Sequence, residues 1–120
     1  MTNKEIVKQL LNAFLKHDVE KALSFMSADV KMGWPGFFDL EPGKEAIREF
    51  YKDIPQMVSS KIGEFIEEGN TVVGTGMVTA KHEDGSLKNS FFCDIYKLEN
   101  GMVSEIQSYM VFEAKKEEAK

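Results

Sequence analysis

The chain is expected to fold as α+β, with helices packed against one face of a curved antiparallel sheet. Three observations predict this. Apolar residues recur at helical spacing near the start, segments of strand length fill the second half, and the turns between those segments are short. At 120 residues the chain has the length of one domain. A chain of that size buries roughly two-thirds of its unfolded surface and needs no disulfide or metal staple.

Thr2-Asn3-Lys4-Glu5 reads as a capping box, a hydroxyl at the N-cap with a carboxylate three residues on. The helix that follows puts Ile6, Val7, Leu10, Leu11, Phe14 and Leu15 on one face. His17-Asp18 interrupts the pattern. His17 is placed to cap the end of the first helix, and Asp18 to open a second one carrying Val19, Ala22, Leu23, Phe25 and Met26. Val30 to Trp34 reads as a short strand. The next stretch, Pro35 to Gly43, holds two prolines and two glycines and is expected to be a loop. It also carries Phe37, Phe38 and Leu40, so it is expected to fold over something apolar. A third helix begins near Lys44, with Ala46, Ile47, Phe50 and Ile54 on one face, and Pro55 marks its end.

Four strands follow, about 60–67, 72–98 in two runs broken near Asp84-Gly85-Ser86, and 102–112. The first run ends near His82 and the second spans Leu87 to Leu98. Asp84-Gly85 and Asn100-Gly101 suit the turns of β-hairpins, so these strands should form an antiparallel meander. Such a sheet can cup a cavity between itself and the helices. Residues 1–112 are read as a single domain, and 113–120, all alanine and charge, as a disordered tail.

Composition narrows the partners. The formal charge is −5 and no basic patch is present, so nucleic acid is not expected. No apolar run approaches the ~20 residues of a membrane span, and the polar N-terminus has no apolar signal core. One cysteine, Cys93, leaves no internal disulfide and fits a reducing compartment; a cytoplasmic location is expected. His17 and His82 are far apart in sequence without metal-ligand spacing, so neither metal nor cofactor is expected. His82 beside a hairpin turn should be exposed, Cys93 should be a small core residue, and Asp39 and Glu41 should be solvated. Gly74 and Gly76 inside a strand read as a bend.

Asp94 is the residue that asks for a reason. It lies inside Phe91-Phe92-Cys93-Asp94-Ile95-Tyr96, and a buried acid without a partner tends to neutralise. Alternation groups Ser90, Phe92, Asp94, Tyr96 and Leu98 on one face, and Asn89, Phe91, Cys93, Ile95 and Lys97 on the other. On the last strand Ile106, Ser108 and Met110 oppose Gln107, Tyr109 and Val111. Both faces are partly apolar, so periodicity leaves open which one looks inward. Asp94 is either solvated or held in an apolar site. Two apolar faces also suggest a homodimer through the outer side of the sheet.

The stretches Val19 to Trp34, Gly43 to Tyr51 and Cys93 to Val103 resemble the nuclear transport factor 2-like superfamily, in its ketosteroid isomerase and SnoaL-like polyketide cyclase branch. The likeness covers nearly the whole chain, to about Phe112. It implies a cone-shaped sheet, a pocket between sheet and three N-terminal helices, and a dimer. It places Asp94 at the acid that contacts the substrate oxyanion in the steroid isomerases, and at the single acid on which the cyclases depend. Tyr51 matches a supporting tyrosine. Two positions depart from the steroid isomerases: Leu10 stands in place of the oxyanion tyrosine and Trp34 in place of the carboxylate base. Steroid-type isomerisation is therefore not the expected reaction.

The resulting expectation is a small hydrophobic ligand, with Asp94 as the catalytic candidate. Leu10, Phe14, Trp34, Phe37, Phe50, Tyr51, Phe92, Tyr96, Ile106, Ser108 and Met110 are the binding candidates. The chemistry would be isomerase- or cyclase-type proton transfer beside a carbonyl. The alternative is a non-catalytic ligand-binding or dimerisation module of the same fold.

Overall fold

In the computed structural model, which describes residues 1–114, the Thr2 hydroxyl accepts the Glu5 N–H at 3.1 Å. The Glu5 carboxylate accepts the Thr2 N–H at 2.8 Å. This reciprocal cap starts α1 (Asn3–Leu15). Its end is closed by backbone: His17 turns to φ 61 and donates its N–H to Phe14, while Asp18 N–H reaches Ala13. The expected imidazole cap is thus replaced by a left-handed backbone turn. The Asp18 carboxylate accepts the Lys21 N–H and opens α2 (Val19–Leu23).

Helix α2 is shorter than its apolar pattern suggests. Val103 donates its N–H to the Phe25 carbonyl, and Met26 pairs with Val103, so Phe25 and Met26 are drawn to the sheet. β1 therefore runs over Met26–Trp34, four residues longer at its start than expected. The following segment is not all loop. A two-residue strand, β2 (Phe38–Asp39), folds back on β1 with Gly33 opposite Asp39. A Cβ on Gly33 would lie 2.0 Å from the Asp39 carboxylate, so a larger residue there would make the exposed Asp39 side chain turn away. α3 (Lys44–Lys52) ends at the Asp53 cap, which leaves Ile54 beyond the helix.

The meander comprises β3 (Gln56–Glu68), β4 (Thr71–Lys81), β5 (Leu87–Glu99) and β6 (Met102–Phe112), antiparallel throughout. β3 starts at Gln56, earlier than its apolar alternation. Sheet order is β2-β1-β6-β5-β4-β3. The β1–β6 pair is parallel, with Met32 beside Ile106, so the six-stranded sheet is not wholly antiparallel. The long excursion through α3 and the meander supplies the connection a parallel pair requires. Two register shifts in β3, around Val58 and between Ile62 and Phe65, bend that edge. The sheet is curved and unclosed, and α1 lies against β3 and β4 while α3 lies against β1.

The core fills the space between helices and concave face. Val7, Leu10, Leu23, Met26, Val30, Ile47, Val72, Tyr96, Val103 and Ile106 are almost wholly excluded from solvent. Cys93, expected in the core, is exposed on the convex face. Residues 113 and 114 are exposed; the rest of the expected disordered tail, 115–120, lies outside the described residues.

Candidate functional site

Cross-strand pairing sets the inward ladder. Asp94 on β5 stands between Gly74 on β4 and Ser108 on β6. The neighbouring rungs are Tyr96 with Ile106 on one side and Phe92 with Met110 on the other. Paired residues share a face, and the burial of Phe92, Asp94, Tyr96, Ile106 and Ser108 marks it as the concave one. Asp94 is on it, and 8% exposed.

The carboxylate is not unpartnered. Ser108 donates its hydroxyl to Oδ1 at 2.7 Å and Tyr96 donates its hydroxyl to Oδ2 at 3.0 Å. Phe65 covers the adjacent Gly74, where a Cβ would meet the ring at 2.7 Å. The glycine here makes room for an aromatic cover beside the acid. Burial pushes the Asp94 pKa up to about 6, against the lowering pull of the two hydroxyls and the Tyr109 backbone N–H. The acid is thus largely ionised at neutral pH yet accepts a proton close to it. Both neighbouring phenols move the other way from acidity. Burial first, then the charge of Asp94, raises the pKa of Tyr51 and of Tyr96, so both remain donors.

Asp94 opens on a cavity of about 490 Å³ between sheet and helices. Its opposite wall is aromatic. Phe14 stacks on Tyr51 at 4.4 Å, and Tyr51 meets Phe50 edge-on at 5.3 Å. Trp34 lies 4.8 Å from Phe50 and 4.7 Å from Phe38. Tyr51 is half-buried, and among the described residues its hydroxyl has no hydrogen-bond partner. It is the one phenol left available to a ligand here, because the Tyr96 hydroxyl is committed to Asp94.

The structure brings Phe14, Trp34, Phe50, Tyr51 and Phe92 to the cavity wall together with Asp94. Tyr96, Ile106, Ser108 and Met110 contribute from the deep side of the sheet, and Phe37 stands 82% exposed at the rim. Leu10 does not belong with them. It is fully buried in the core, and Leu11 takes its place on the wall. Residues 100° apart on a helix can both be buried while only one reaches a lateral cavity. Sequence reasoning also missed Ser90, Lys88 and His82. The first two follow from continuing the inward alternation of β5 toward its start. His82, expected to be exposed, is half-buried on the wall because β4 keeps its inward face up to the hairpin. Among the described residues, no group of three or more His, Cys, Asp or Glu could hold a metal ion, and no helix is long and apolar enough to cross a membrane.

The family model described as a SnoaL-like domain matches residues 7–106. No curated protein matches the chain in sequence. Among solved structures, a protein provisionally described as a ketosteroid isomerase from Kribbella flavida superimposes with a TM-score of 0.80 at 12% identity. That match covers 95% of this chain and 80% of the other. An NTF2-like protein of unknown function from Burkholderia pseudomallei gives 0.76 at 22% identity, over 94% and 92% of the two chains. TerC, co-crystallized with polyporic acid, gives 0.75 at 24% identity, over 92% and 91%. At these identities the solved structures establish the fold, which is the NTF2-like cone.

Proposed function

Because this chain belongs to the SnoaL-like domain family, we propose that it binds a small, largely apolar carbonyl compound and moves a proton on it through Asp94. The observation that carries this reading is the position of Asp94: a single carboxylate, buried and tuned to about 6, on the wall of an otherwise aromatic and aliphatic cavity. A base with that affinity is matched to neutral solution. Asp94 takes a proton from the carbon beside the carbonyl; the electron pair of the broken C–H bond forms a C=C bond and the carbonyl π pair moves onto the oxygen. The Tyr51 hydroxyl faces the developing enolate and donates to it. Where the substrate carries a β,γ double bond, return of the proton to the γ carbon completes an isomerisation; with a saturated ketone it returns to the same carbon, as hydrogen exchange. Ser108 and Tyr96 orient the carboxylate and limit its basicity. With Leu10 in the core and Trp34 stacked on Phe38 and packed against Phe50, neither acts as acid or base.

The test uses 2-decalone, a bicyclic apolar ketone, in deuterated buffer. Binding is read from the fluorescence of Trp34, the only tryptophan, and exchange of the hydrogens next to the carbonyl by NMR. The expected result is exchange above the buffer rate, lowered by a factor of about 100 or more in Asp94→Asn. Binding with exchange at the buffer rate would contradict catalysis and favour the second reading, a non-catalytic binding module. The packing of Trp34, Phe38 and Phe50 against one another favours that alternative, since these rings already fill part of the cavity.

The same proposal includes a homodimer through the convex face. Phe91, Tyr109 and Val111 are 47%, 42% and 66% exposed there. Cross-strand pairing makes them neighbours, Phe91 beside Val111 and Cys93 beside Tyr109. A contiguous apolar patch of this kind on a sheet face is suited to a second copy.

A further inference from the structure

We propose that the cavity takes an elongated anionic amphiphile, its carbonyl end at Asp94 and its acid group at Lys88 and His82 by the mouth. This rests on the ligand-binding reading above and assigns the other end of the ligand.

The charges along the wall are arranged in this way. Among the described residues, the ionised or ionisable groups lining the cavity are Asp94 and two phenols in its depth, then Lys88 and His82 at its open end. Between them the inward rungs are nearly all apolar: Phe92 beside Gly76, Ser90 beside Val78, then Lys88 beside Ala80. Lys88 and Asp94 point to the same face of one strand, six residues apart, about 20 Å along it. The lysine side chain can fold back over part of that distance. A ligand touching both ends is therefore long, with an apolar middle.

The polarity of the ends is opposite. The deep end offers a carboxylate, two hydroxyls bound to it and the free Tyr51 hydroxyl, which suit a neutral carbonyl. The mouth offers an ammonium and an imidazole, which suit an anion. The chain as a whole carries −5, so a cationic end to this apolar cavity runs against its overall charge. Hydrogen bonds from Ser86, and then the charges of Lys88 and His82, which are close enough to be felt, hold the Asp84 carboxyl below the usual range. Yet among the described residues no acid comes within ion-pair distance of Lys88. Asp84 lies in the hairpin turn and accepts the Ser86 N–H at 2.8 Å and the Ser86 hydroxyl at 2.6 Å. Glu83 is exposed in the same turn, and Glu113 accepts from the Asn89 side chain at 3.1 Å. His82 is half-buried against the cavity, whose wall also includes the exposed ring of Phe112, which leaves the anion a site with apolar surface beside it.

The probe is 11-oxododecanoate, which has a methyl ketone at one end and a carboxylate at the other, compared with its methyl ester. Binding to the full chain is followed by Trp34 fluorescence at pH 7.5 and low salt. The expected result is an acid bound about five times more tightly than the ester, as a part-exposed ion pair provides. That ratio falls toward one in 0.5 M salt and in the double variant Lys88→Met, His82→Gln. Equal binding of acid and ester by the unmodified chain would overturn the inference and leave the pocket reading standing. A preference that persists in the double variant would overturn the assignment to these two residues. Failure of both probes to bind would overturn the pocket reading together with it.

Discussion

The two faces of β5 and β6 are built from similar residues and do different work. The concave face carries Phe92, Asp94, Tyr96 and Ser108; the convex face carries Phe91, Cys93, Ile95 and Tyr109. Both alternate apolar and polar groups, and both include aromatic rings. On the concave face the polar groups are spent on one another: two hydroxyls converge on one carboxylate, which burial keeps at a pKa of about 6. On the convex face the rings stand about half exposed, and the acids there, Glu105 bonded by Gln107 and Glu113 bonded by Asn89, are not buried. Hydrophobic content therefore does not separate a site from a surface here. What separates them is a buried charge whose partners come from the same face.

The sharpest way to break this contrast is to truncate adjacent rings. Phe92 packs over Gly76 in the interior, so Phe92→Ala should lower stability by about 3 kcal/mol, the lower range for a core phenylalanine because one side faces the cavity. Phe91→Ala, on the other face, should cost the monomer roughly 0.5 kcal/mol or less. Urea denaturation at low protein concentration reads both. Similar losses would mean that the two faces are buried alike.

Asp94→Asn comes next. The folded pKa of about 6 lies above the unfolded value near 3.8, so the native state holds the proton more tightly. Stability from this group is fully present below the unfolded pKa. It is lost as pH rises through the folded pKa, by an amount on the order of 3 kcal/mol at most. The variant lacks this loss. It should match the parent near pH 3.5 and exceed it increasingly up to pH 7, as followed by thermal unfolding across that range. A variant less stable than the parent at pH 7 would show that the ionised carboxylate is stabilising.

A smaller effect is expected from Ser108→Ala, which removes one of the two hydroxyls that hold the carboxylate. The Asp94 midpoint should rise by roughly one unit, the size of a hydrogen bond to a charged group. The smallest effect on the fold belongs to the convex face. Phe91→Glu should change monomer stability little while shifting sedimentation velocity from dimer to monomer. An unchanged sedimentation coefficient would place any dimer elsewhere.

Much of the architecture was legible in the sequence. The capping box at Thr2, the Asp-Gly and Asn-Gly turns and the four alternating segments mark helices and meander through local chemistry that tertiary packing did not override. The parallel partnership of β1 with β6 was not legible, since it joins segments some seventy residues apart and leaves no local signal. The early start of β1 was hidden for the same reason: Phe25 and Met26 suit a helix face as well as a strand. At the site, the aromatic wall was readable from residue type, whereas Leu10 and Leu11 differ only in which way the helix turns them. His82 was hidden by its turn, because proximity to a hairpin says nothing about the direction of its side chain. The inward orientation of Asp94 could not be read from alternation, as both faces of its strand are apolar.

The most direct measurement is therefore the titration of Asp94 itself, by carboxyl-carbon NMR with Asp94→Asn to assign the signal. A midpoint near 6 is expected, moving when 2-decalone fills the cavity and displaces water from the carboxylate. A midpoint at or below about 3.9, unchanged by the ketone, would mean an ordinary solvated carboxylate. It would contradict both the buried base and the function proposed for it.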